Sequence, residues 1–326
     1  MRDEVLAQPH QVADALWRAE AAKVPERELA GGLLVCGMGG SAIGGDLAAA
    51  AIGARAVRPI RTSRGYTPEP WLGPGTLVLC SSYSGATEET LACFDAAGEA
   101  GAERVALTTG GALAERAREE GVPVIGVPSG MQPRASVVYM TVAALECAAA
   151  CGAVASLSGE IEGAGEALAA GADDAQAEAA SVAAALHETL PVVHGAELTA
   201  PVARRWKTQL NENAKLAAFA SELPEANHNE IEGWAWGAGR APLSAVLLSA
   251  PSAHPRVSRR FDLLAELLAS REVPVARAQA RGDSPVAQVL SLVMLGDLVS
   301  VELAELAGVD PDVVAAIEGF KCALGR

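Results

Sequence analysis

The stretch Thr76-Leu-Val-Leu-Cys-Ser-Ser-Tyr-Ser-Gly-Ala-Thr-Glu-Glu-Thr90 passes from an apolar run through a hydroxyl-rich turn into an acidic, amphipathic segment. Thr76 to Cys80 has the unbroken apolar character of a strand buried on both faces, and Glu88-Glu-Thr-Leu reads as the first turn of a helix with Thr87 at its N-cap. Between them Ser82, Ser84 and Thr87 set three hydroxyls around Gly85, a residue that lets the backbone turn tightly. Free N–H groups and the positive dipole end of the new helix add further donors, so the turn suits a phosphate without a lysine. The bland alternative is a Ser/Gly turn that only caps a helix. The strand before it and the spacing of the hydroxyls favour the anion reading.

Outward from this turn the same order of strand, loop and helix recurs. Leu33 to Cys36, Arg104 to Thr108 and Val122 to Val127 read as further strands with helical patterns between them, which predicts a parallel sheet wound with helices. An Ala/Gly/Glu-rich stretch from Ser156 to Ala185 follows, helical in composition but poor in large apolar residues. Beyond it the pattern returns. Pro191 to Gly195 echoes Leu34 to Gly37, Val246 to Pro251 echoes Leu77 to Ser82, and Val273 to Ala276 echoes Val122 to Ile125. Pro285 opens a long apolar helix through Leu306 as Pro133 opens one through Cys151. Offsets of roughly 150 to 170 residues between matched points argue for duplication. The predicted fold is α/β, with two doubly wound parallel-sheet domains from an internal duplication. Residues 1–155 form the first, with a leading helix and the phosphate loop; 156–185 form a helical connector; 186–326 form the second. The counterpart of the loop at Ser249 to Ser252 lacks the hydroxyl array, which implies one phosphate site per chain. In such open sheets ligands bind beyond the carboxyl ends of the strands.

The chain has 326 residues, half of them hydrophobic, and a formal net charge of −15. No basic stripe is present to neutralise a run of phosphates, so nucleic acid is not an expected partner. Nor is a membrane: Met1 to Asp14 has no apolar core, and no run of about 18 apolar residues escapes a charge, Pro or Gly. A cytoplasmic location is expected. The six Cys are scattered through apolar segments without a CxxC pair or a His cluster, and read as reduced packing residues with no metal site.

Gly37-Met-Gly-Gly-Ser-Ala-Ile-Gly-Gly45 also follows a strand and opens a helix, and formally satisfies G-x-G-x-x-G/A. A dinucleotide site also wants an acidic residue about 20 positions on. Here the second strand, Val57 to Thr62, ends in Arg61-Thr-Ser, and the glycines are read instead as letting Gly40 and Ser41 approach a sugar. Asn211-Glu-Asn-Ala-Lys215 offers a base: Glu212 has amides on both sides and Trp206, Leu216 and Phe219 nearby, a setting suited to orienting a carboxylate and adjusting its pKa. The polar stretch Leu223 to Trp234 contains His228. Arg134, after Pro133 at another strand-to-helix turn, carries a permanent charge suited to an oxyanion. Lys321, in a helix from Ala315 to Leu324, is uninformative alone.

Taken together and in this order, these motifs, with the terminal Gly308-Val-Asp-Pro311, resemble the archaeal and bacterial bifunctional phosphoglucose/phosphomannose isomerases, proteins of two SIS (sugar isomerase) domains. The resemblance covers nearly the whole chain. It implies that Gly40, Ser41, Ser82, Ser84, Thr87 and Arg134 bind a phosphorylated hexose, the three loop hydroxyls holding its phosphate. It implies further that Glu212 moves a proton between C2 and C1, that Arg134 faces the reacting carbons, and that His228 and Lys321 assist ring opening. It also implies no cofactor and a homodimer in which His228 crosses to the partner's site. Where relatives often have Thr and Pro after the terminal Asp-Pro, this chain has Asp312-Val313, a departure that bears on acceptance of mannose 6-phosphate. The rival within the same architecture is a non-catalytic sugar-phosphate sensor, which needs the loop but not the base.

Overall fold

The computed structural model describes residues 1–325, Ala238 by its backbone alone. The chain divides into two compact units, one of Leu6–Ala170 with Arg281–Ser291, the other of Met1–Val5, Gly171–Ala280 and the residues from Leu292 onward. A short helix α1 (Arg2–Leu6) opens the chain. The first-half unit then contains α2 (Gln8–Ala21), β1 (Gly32–Gly37), α3 (Gly39–Ile52), β2 (Ile60–Ser63), β3 (Thr76–Ser81) and α4 (Glu88–Glu99). It continues with β4 (Glu103–Thr108), α5 (Gly111–Glu119), β5 (Val124–Gly126), α6 (Val137–Ala150) and α7 (Ser158–Ala170).

All five strands are parallel, in the order β2-β1-β3-β4-β5. Every residue of β1 and β3 is buried, because helices cover both faces of the sheet. Leu34, Cys36, Val78, Cys80 and Ala106 turn one face of the sheet to Phe94 of α4 and Leu113 of α5. Gly37 pairs with Ser81 and Ser81 with Leu107, so the strands end level and deliver their loops along one edge. Cys36 of β1 and Cys93 of α4 face each other, sulfur to sulfur, within this apolar cluster. Cys80, Cys147 and Cys151 are buried thiols, and burial pushes the Cys80 thiol up to about 12.

The second-half unit comprises α8 (Ala172–Leu186), β6 (Leu190–Ala196), α9 (Ala200–Glu212), β7 (Phe219–Leu223), α10 (Glu230–Gly237), β8 (Leu243–Ser249), α11 (Pro255–Ser270) and β9 (Val275–Gln279). Helix α12 (Pro285–Leu306) and α13 (Ala315–Ala323) complete the chain. The parallel sheet has the order β7-β6-β8-β9, that of the first sheet without its last strand. Sequence matched Val273 to Ala276 with the fifth strand of the first half. The pairing puts β9 directly against β8, in the place β4 holds, because one strand of the repeat is missing. Helix α12 is apolar and long enough to cross a membrane by length and composition, but 89% of that window is buried inside the protein, as in a core helix.

Candidate active site

The phosphate loop forms where the sequence places it, between β3 and α4. Gly85 adopts φ +67°, and a Cβ there would lie 1.8 Å from Gly110 O, so only glycine closes this turn against the loop after β4. Ser82 Oγ accepts the Gly85 N–H at 3.1 Å and is hydrogen-bonded to Thr87 Oγ1 at 2.8 Å. Ser84 is exposed and its hydroxyl accepts the Ala86 N–H. Thr87 stands at the N-cap of α4 with extended backbone, yet its side chain makes no cap hydrogen bond. The Thr87 hydroxyl instead turns back to Ser82 in the loop.

Three more predicted residues join this edge. Ser41, in the first turn of α3, accepts the Tyr83 N–H at 3.3 Å. Arg134 lies in a 3-10 turn, Pro133 to Ser136, is 4% exposed, and donates through Nη1 to Gln132 Oε1. A Cβ on Gly40 would come within 3.3 Å of Arg134 Cα and 3.4 Å of Pro133 O, so the glycine turn is also what admits the Arg134 backbone. Gly40, Ser41, Ser82, Ser84, Thr87 and Arg134 thus gather at the carboxyl ends of one sheet. Arg61, which stands where a dinucleotide site wants an acidic residue, is exposed on β2.

Glu212, His228 and Lys321 belong to the other unit. Glu212 is the last residue of α9 and is half-buried. Its flanking amides each hold a neighbouring group. Asn211 Nδ2 donates to Leu216 O and Asn213 Nδ2 to Ser300 Oγ, both at 2.8 Å, so they fix the backbone around the carboxylate. Lys215, at φ +55°, donates to Glu212 O at 2.6 Å and reaches Pro311 O at 3.4 Å, tying the helix end to the terminal Asp-Pro segment. Trp206 is sealed against α12, its Nε1 donating to Leu292 O, and Phe219 is exposed on β7. His228 is exposed at the end of a 3-10 turn, Glu225 to His228, and Lys321 is exposed on α13. Among the described residues no group of three or more His, Cys, Asp or Glu is placed to hold a metal ion.

Residues 175–324 match the family model described as the bacterial phospho-glucose isomerase C-terminal SIS domain. Over 89% of both chains this protein is 38% identical to the bifunctional phosphoglucose/phosphomannose isomerase of Aquifex aeolicus. This chain belongs to that family. A second member, from Caldicellulosiruptor bescii, is 35% identical over 89% of this chain and 88% of its own. The family's fold extends to proteins of distant sequence. The C-terminal domain of glucosamine-fructose-6-phosphate aminotransferase from Francisella tularensis superposes with a TM-score of 0.74 at 14% identity, over 95% of this chain and 96% of its own. Sequence reasoning quoted Tyr83 within the phosphate loop but gave it no task. Its hydrogen bonds join loops far apart in sequence, which no local pattern announces.

Proposed function

We propose that this isomerase interconverts glucose 6-phosphate and mannose 6-phosphate with fructose 6-phosphate through a cis-enediolate, with Glu212 as the base. The observation that carries the reading is the hydroxyl loop, whose Thr87 stands at a helix N-cap without capping it, in a chain of this family. Ser82, Ser84, Thr87 and the first amides of α4 hold the phosphate, while Gly40 and Ser41 bound the sugar. His228 and Lys321 transfer the proton between ring oxygen and anomeric hydroxyl that opens the ring. Glu212 then takes the C2 proton and returns it to C1. Arg134 stabilises the charge that appears on oxygen in between. An acid or base so placed contributes about 10²- to 10⁴-fold, and an oxyanion partner a similar factor. The chemistry asks for proton transfer and anion stabilisation, which side chains of these types supply without a cofactor.

The working form is a homodimer that lends His228 across its interface. In support, α13 buries no residue, Ile317 and Phe320 are exposed along it, and Leu324 is exposed at its C-cap. The link from Lys215 to Pro311 puts Asp312 and Val313 next to the segment fastened to Glu212's helix, which makes them the place to look for selection between the C2 epimers.

The test supplies fructose 6-phosphate to purified protein in EDTA and detects the two aldose phosphates separately. Both products are expected, and Glu212→Gln is expected to retain substrate binding while losing most turnover. Near-wild-type activity in that variant removes Glu212 as base. Absence of both products, with fructose 6-phosphate still raising the melting temperature, replaces the isomerase by a sensor.

A further inference from the structure

We propose that Tyr83 is a positioning residue that sets Arg134 relative to the phosphate loop. The inference rests on the reading of Arg134 as the oxyanion partner. Tyr83 lies in the loop after β3, and its three polar groups each hold a different neighbouring loop. Its N–H donates to Ser41 Oγ at the turn after β1. Its carbonyl accepts from Thr109 N at 3.1 Å and Thr109 Oγ1 at 2.9 Å, in the loop after β4. Its hydroxyl donates to Pro128 O at 3.2 Å and accepts from Met131 N at 3.0 Å, in the loop after β5. Loops from four strands therefore converge on one residue.

Only the last of these links depends on the side chain, and it reaches the segment that presents Arg134. Arg134 follows Met131 by three residues, and Gln132 between them holds the guanidinium. With donor and acceptor both engaged, the hydroxyl fixes this segment in direction as well as distance. Phosphate binding uses a different set of atoms, Ser82, Ser84, Thr87 and the start of α4, closed by Gly85. Removing the hydroxyl should therefore loosen the oxyanion partner and leave the phosphate in place. Anion stabilisation is sensitive to such loosening, because a misplacement of about 1 Å can lower the rate about 10²-fold.

The experiment compares Tyr83→Phe, Arg134→Gln and the double variant in fructose 6-phosphate isomerisation, with inorganic phosphate as a competitive inhibitor. Tyr83→Phe is expected to lower kcat about 10- to 100-fold with the phosphate inhibition constant within about twofold of wild type. It is further expected to cost little more once Arg134 is already Gln, as required of two residues acting in series. A kcat within about twofold of wild type overturns the proposal. So does a parallel loss of phosphate affinity, which marks general disorder of the edge, or the same fold-loss in both backgrounds, which makes Tyr83 independent of Arg134. If Arg134→Gln alone leaves kcat unchanged, the reading of Arg134 fails first and the proposal with it, a result distinct from the others.

Discussion

Acidification should destabilise the second-half unit through His194. This residue lies on β6, fully buried, and neither ring nitrogen has a hydrogen-bond partner among the described residues. Its ring faces Trp234 at 5.8 Å, in the apolar cluster formed with Leu247, Phe261 and Leu264. Burial disfavours the imidazolium and lowers the pKa from 6.5 to about 4. The sign follows from linkage. Between those values the unfolded chain binds the proton and the folded chain does not, so stability is whole above about 6.5 and is lost as the pH falls toward 4. Moving from pH 7.5 to 5.0 costs about 2 kcal/mol through this group alone. Urea unfolding of wild type and His194→Leu at both pH values isolates that contribution, because carboxylates elsewhere titrate equally in the two proteins. The variant should lose about 2 kcal/mol less than wild type over the interval. Equal losses would refute the assignment and mean that the folded protein accommodates the protonated ring.

Asp297→Asn should destabilise the same unit by about 3–5 kcal/mol in urea unfolding, because it leaves the Arg205 charge buried without its bidentate partner, both side chains being 1% exposed. Arg205→Met with Asp297→Leu should recover most of that loss. Gly85→Ala, forced toward Gly110 O at φ +67°, should raise KM for fructose 6-phosphate by about tenfold or more, roughly the 1.4 kcal/mol of one good hydrogen bond to a charged group. An unchanged KM would show that the loop does not hold the phosphate. On the proposed homodimer, Phe320→Glu should shift dimer to monomer in analytical ultracentrifugation and lower activity with it, and a dimer unaffected by the charge would place the interface away from α13.

The fold was legible because its strands are buried on both faces: β1 and β3 leave the unbroken apolar runs around Val35 and Leu79 that read as parallel strands. The weaker edge escaped. Phe219–Leu223 is β7, but three of its five residues are exposed, so its sequence carries no apolar run. Backbone pairing with β6, rather than side-chain burial, makes it a strand. The placement of Ser82, Ser84 and Thr87 in a turn between strand and helix could be read from residue type and spacing, since a tight turn needs glycine. The meaning of Asn211 and Asn213 could not. Nothing local in the sequence shows that these amides donate to Leu216 O and Ser300 Oγ at the end of the helix. Tyr83 was hidden for the same reason.

On the proposed function, the two similar sheets also differ in a way that accounts for phosphate recognition in one half alone. The turn after β8 stands where the phosphate loop stands in the first sheet, and it too leads into a helix N-terminus, that of α11. Its donors are already engaged. The His254 N–H donates to Glu197 Oε2 at 3.0 Å, and the Arg256 N–H donates to His254 Nδ1 at 3.1 Å. Pro255, first in the helix, has no N–H to offer. The parallel with the first half is close in place and opposite in charge. There the N–H of Tyr83, after β3, meets the neutral hydroxyl of Ser41, after β1. Here the N–H of His254, after β8, meets the carboxylate of Glu197, after β6. A hydroxyl leaves the helix dipole free to attract an anion, while a carboxylate in that position supplies the negative charge from within the chain and repels another. The second half of the repeat thereby disfavours an anion at the place where the first is proposed to receive one.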